Sequence, residues 1–163
     1  MGRTDSVTRE GARAGIAGAL AVAVWFFFVD LIAGRPLATP EALGAALVSV
    51  LRANQELGNI THLVVYTAFH FAAFIVVGIV ASAAIRASDR EPSIIAGFLF
   101  LFVVMEVGFV GYTYVLSKGS ALGNLAWYQV GAANLLSAFV MGRILFRTHP
   151  EAVHRATEAL RGM

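Results

Sequence analysis

Residues 61–80 read THLVVYTAFHFAAFIVVGIV, a stretch without a single Lys, Arg, Asp or Glu. A helix of that length rises about 30 Å, the thickness of a bilayer's hydrocarbon core. The stretch therefore predicts a membrane span, yet it carries His62, Tyr66 and His70 among its apolar residues. Spaced four apart, these three share one helix face, successive members rotated by roughly 40°. A polar stripe on a lipid-embedded helix has to face something other than lipid.

The flanking sequence extends this reading. The 163 residues are 58% hydrophobic and 13% charged, whereas a soluble domain carries about 25% charged residues. Mean hydropathy is +0.75. Charges gather in short clusters and leave four apolar stretches, at about 14–34, 62–86, 93–117 and 124–146. The links ASDREPS and KGSALG are too short to hold a domain, so consecutive spans are expected to be antiparallel neighbours. The expected fold class is all-α integral membrane, with four transmembrane helices in an antiparallel bundle forming one domain over residues 1–163. Arg3, Arg9 and Arg13 before the first apolar run superficially resemble a signal peptide. The run continues to Val29 without a convincing cleavage site, which predicts a retained first helix.

The first link is longer. In GRPLATPEALGAALVSVLRANQELGN, Thr39 is expected as an N-cap and Pro40 as the first helical residue. Leu43, Ala46, Leu47, Val50 and Leu51 then recur with the spacing of an amphipathic helix, predicted at about 40–54 and too short to span. It is expected to lie on the outer membrane surface or over the mouth of the bundle, with Ala45 and Ser49 on its weakly polar face and Gly58 ending it or turning the chain.

Lys and Arg set the orientation. Nine (Arg3, Arg9, Arg13, Arg86, Arg90, Arg143, Arg147, Arg155 and Arg161) fall on one side, against Arg35, Arg52 and Lys118 on the other. The positive-inside rule places both termini in the cytoplasm and the protein in a cell inner membrane. Dispersal of these charges at helix ends argues against nucleic acid as the reason for a pI near 9.4. With no Cys in the chain, thiolate-bound clusters, Cys-ligated zinc and covalent c-type haem are excluded.

The polar residues inside the spans carry what functional signal there is. Measured from the outer helix ends, His70 lies roughly 12 Å deep, Glu106 roughly 16 Å, Asn134 roughly 15 Å and Asp30 roughly 6 Å. An ionised carboxylate at mid-bilayer costs on the order of 3 kcal/mol, so Glu106 is expected to face the bundle interior. His70 is its expected partner, Asn134 satisfies a remaining lone pair, and Tyr66 and His62 continue the stripe toward water. This cluster reads as a structural clasp, as proton or quinone chemistry, or as a metal or haem site. Haem is poorly served, because the intramembrane histidines all sit on the second span. Asp30 and Arg35, five residues apart, are expected to form an ion pair at the outer interface. His62 there reads as structural, and Trp127, Tyr128, Tyr112 and Tyr114 as an aromatic belt.

Gly11, Gly15 and Ala19 follow a small-xxx-small pattern, which predicts closely packed helices. Phosphate loops, nucleophile elbows, paired catalytic carboxylates, internal repeats and charged pore rings are all missing from the sequence, which demotes enzymes and transporters. The expected function is that of a non-catalytic accessory subunit, with no cofactor, packed against partner subunits or copies of itself in the bilayer. The alternative is a small redox or proton-handling protein centred on His70 and Glu106, using quinone, haem or a metal.

Overall fold

The computed structural model describes residues 3–50, 58–87 and 127–148, and every element among them is helical: α1 (Arg3–Ile32), α2 (Ala38–Val50), α3 (Asn59–Ala87) and α4 (Trp127–Thr148). Three of the four, over Ser6–Ile32, Asn59–Ala87 and Tyr128–Thr148, are long and apolar enough to cross a membrane, consistent with a multi-pass membrane protein. The expected third span at about 93–117, with Glu106, Tyr112 and Tyr114, lies outside the described residues. Helix α1 begins well before the apolar run. Its first turns carry Arg9, Glu10 and Arg13, good helix formers that extend the helix N-terminal to that run.

Helix α1 is central, flanked by α3 on one side and α4 on the other, and small residues set how close α3 comes. A Cβ on Gly11 would meet the backbone of Gly78 and Ile79. One on Gly15 would meet the backbone of Phe74 and Ile75, and one on Gly78 would meet Gly11 and Gly15 in return. The two helices therefore touch backbone to backbone, the small-xxx-small geometry that lets dispersion and polar contacts act at short range. Residue numbers rise on α1 as they fall on α3, so the pair is antiparallel. At one end Arg86 bonds Glu10 at 3.1 Å and ties the start of α1 to the end of α3.

Contacts with α4 are made by side chains instead. Ala14, which also packs with Ala81 and Ile85 of α3, meets Met141 and Leu145 of α4, Gly18 faces Met141 and Ser137, and Val22 and Phe26 pack with Ala133. The order again reverses, so α4 is also antiparallel to α1 and runs parallel to α3. Large apolar side chains such as Phe28, Leu31, Val64, Phe69, Val76, Leu135 and Phe139 point outward and are exposed.

The turn from α1 to α2 accounts for its backbone groups one by one. Gly34 takes a positive φ of 71°, its N–H bonds Leu31 O, and Arg35 N–H reaches back to Asp30 O at 2.9 Å. That pair of bonds is the glycine-terminated helix end known as a Schellman motif. Ala38 N–H then bonds Arg35 O, and Glu41 N–H bonds Leu37 O. Thr39 is thus not the N-cap. It lies at the second helical position with Pro40 third, where a missing N–H is still harmless.

Helix α2 is amphipathic, but its buried line differs from the expected one. Gly44 and Val48 are buried, whereas Leu43, Ala46 and Leu47 are half-buried and Ala45 and Ser49 exposed. The reason is Gly44, whose missing side chain leaves room for the backbone of His62 on α3. That close approach rotates the helix about one residue from the line its leucines would choose. Gly58 starts α3, its carbonyl accepting from Thr61 and His62.

Candidate functional site

The polar stripe of α3 faces α1 and α2. His70 is 9% exposed, and its Nε2 lies 3.1 Å from the carbonyl oxygen of Ala19 on α1. A carbonyl can only accept, so this ring nitrogen carries the proton and donates. Ala19 is the third small residue after Gly11 and Gly15. The ladder that brings the helices together therefore also places a backbone acceptor within reach of the imidazole. Stacking fixes the ring further: Tyr66 lies against it with centroids 5.5 Å apart at 28°, and Phe74 at 4.7 Å. Such ring pairs add about 0.5–1.5 kcal/mol beyond area burial.

Toward the C-terminal end of α1, Asp30 lines the same cleft as Tyr66. It is 6% exposed. Thr39 donates to both its oxygens, the backbone N–H to Oδ2 and Oγ1 to Oδ1, each at 2.7 Å. Two charge-assisted bonds and the positive end of α2 together stabilise the carboxylate. The expected Asp30–Arg35 ion pair is replaced by this arrangement. The Schellman turn leaves the Arg35 side chain exposed, while the start of α2 folds back over Asp30.

Between α1, α2 and α3 these groups line a cavity of about 140 Å³, with Asp30, Thr39, Tyr66 and His70 as its polar wall and Phe26, Phe27 and Phe71 among its apolar ones. The structure thus gathers three of the polar residues singled out in the sequence, Asp30, Tyr66 and His70. His62 stays outside the cavity, half-buried, its backbone against Gly44. Asn134 is half-buried on α4. Ser137 opposes Gly18, and Ala133 opposes Val22, so Asn134 stands within about a turn of the level of His70. Glu106 lies outside the described residues, as do His149 and His154. Among the described residues, no three His, Cys, Asp or Glu side chains form a group able to hold a metal ion. Sequence reasoning missed Thr39 as the partner of Asp30 and Ala19 O as the partner of His70. The first had a signal in the unusual Thr-Pro helix start. A backbone carbonyl has none.

No protein-family model, curated protein or solved structure matches this chain.

Proposed function

We propose that the protein is a four-span, non-catalytic subunit of a cell inner membrane, built to pack against partner subunits or copies of itself within a larger bacterial membrane complex. The observation that carries this reading is how its buried polar groups are spent. His70 binds α3 to α1, Asp30 binds α1 to α2, and Glu10 with Arg86 closes the far end. Around them the large side chains of α1, α3 and α4 point outward over most of their length. The fourth span is supported by direction. Helices α3 and α4 run parallel, so a chain that leaves one membrane face at Ala87 must recross before α4 can begin. The apolar run 93–117 is the stretch able to do so.

Purification in mild detergent tests the role directly, with a stoichiometric partner or a defined homo-oligomer expected by native mass spectrometry. A lone monomer under every mild condition would refute it. A reporter fused after Arg90 is expected to read cytoplasmic and one inserted near Ala53 external, since nine of the twelve Lys and Arg residues fall on the cytoplasmic side. The opposite readings would invert the topology.

Within the bundle, His70 offers its second ring nitrogen to Glu106, with Asn134 at the same level, as a clasp. His70→Ala is expected to cost about 1–2 kcal/mol of detergent stability, and Glu106→Gln less, because interhelical bonds in membranes are modest. Coupling of roughly 0.5 kcal/mol or more in the double mutant is expected, and strict additivity would remove the contact. The redox or proton-handling alternative draws on the cavity beside His70 and predicts a different pattern. There, Glu106→Gln abolishes cofactor binding or activity at unchanged thermal stability.

A further inference from the structure

The cavity joins three properties that a packing defect does not need. Its volume, about 140 Å³, is close to the ~150 Å³ of an engineered cavity that admits one benzene ring. Phe26, Phe27, Tyr66 and Phe71 supply aromatic walls, and Asp30 supplies a carboxylate at one end. Among the described residues that line it, none is Lys or Arg, so the negative charge faces the space without a cation from that wall. Phe27 and Leu37 at the rim are 43% and 38% exposed, which leaves a way in.

We propose that this cavity binds an organic ammonium group, the cationic head against Asp30 and the apolar body between the rings. A carboxylate has about four acceptor positions, and Thr39 uses two, one on each oxygen. An ammonium donor or an alkylated onium head supplies the missing positive charge. Aromatic faces attract such a cation most strongly where water is excluded. A neutral ring of the same size gains only the apolar contact and one weaker hydrogen bond. Two sources carry this chemistry: the choline or ethanolamine headgroup of a lipid, and a free amphiphilic amine.

The test is calorimetric titration of the full-length protein, in uncharged maltoside micelles, with benzylammonium and with benzyl alcohol as the neutral ring of the same size. The cation is expected to bind at least tenfold more tightly than the alcohol. Asp30→Asn keeps the shape and one acceptor for Thr39 while removing the charge, and is expected to weaken the cation about tenfold or more. Should Asp30→Asn fail to fold, Ala23, an exposed residue that also lines the cavity, is replaced instead: Ala23→Trp fills the rim and is expected to abolish binding in a folded protein. Equal binding of cation and alcohol, no binding of either, or full affinity in a folded variant of either kind overturns the proposal. Doping the micelles with phosphatidylcholine separates the sources. Competition against benzylammonium identifies a lipid headgroup, and unchanged affinity relative to phosphatidylglycerol identifies a free amine.

Discussion

Gly15→Val is expected to separate α1 from α3. A Cβ at that position runs into Phe74 O and Ile75 Cα, which are backbone atoms with no rotamer to adopt. The helices must then move apart along their whole contact, and the bond from His70 to Ala19 O is stretched with them. Overpacking costs about 1–3 kcal/mol and sometimes more. Adding the interhelical hydrogen bond brings the expected loss to about 3 kcal/mol. Two control substitutions grade the effect. At Gly18 the obstacles are the side chains of Met141 and Ser137, which can turn aside, so Gly18→Ala should cost about 1 kcal/mol. At Gly131 nothing lies within 4 Å, and Gly131→Ala should cost nothing and gain helix propensity. Unfolding in mixed micelles checks the order. Equal losses at the three sites would show that the small-residue edge of α1 is not its contact with α3.

Asp30→Ala is the second large effect. It leaves the N–H and hydroxyl of Thr39 without their acceptor at the start of α2, where the helix supplies none of its own. Hydrogen bonds to charged groups are worth about 1.5–3 kcal/mol each, and a buried donor left unpaired keeps its desolvation cost. A loss of about 3 kcal/mol in the docking of α2 is expected, read as roughly 100-fold faster hydrogen exchange at the Thr39 amide. Thr39→Val removes only the hydroxyl bond and should cost about 1 kcal/mol. Arg35→Gln should leave exchange unchanged, because the carboxylate is turned to Thr39 and the arginine side chain is exposed. Fast exchange in Arg35→Gln and slow exchange in Asp30→Ala would restore the ion pair.

These two sites also mark where the sequence was legible and where it was not. Apolar runs announced α1, α3 and α4 because bilayer thickness leaves a strong length signal. Gly11, Gly15 and Ala19 announced close packing because only small residues permit it. What they packed against was hidden, since Gly78 stands more than sixty residues away and lone glycines are common. Asp30 was assigned to Arg35 by proximity in the chain. A positive φ at Gly34 reverses the chain and puts Thr39 there instead, so local spacing could not decide it. For α2 the leucines suggested one face. Gly44 selected another, because backbone contact with His62 outweighs half-buried leucines. His70 was matched with Glu106, which lies outside the described residues. The partner it shows is a peptide carbonyl, which every residue carries and no alphabet distinguishes.

The contrast between the two faces of α1 bears on the order of assembly during synthesis. Its contact with α3 is backbone on backbone at Gly11, Gly15 and Gly78, reinforced by the bond from His70 and the Arg86–Glu10 pair. Its contact with α4 runs through Met141, Leu145 and Ser137. Helices α1 and α3 emerge from the ribosome long before α4, so their matching surfaces can meet while the rest of the chain is still being made. The late-arriving helix meets a finished template and adapts its flexible methionine to it, as the last piece of an assembly whose geometry was decided without it.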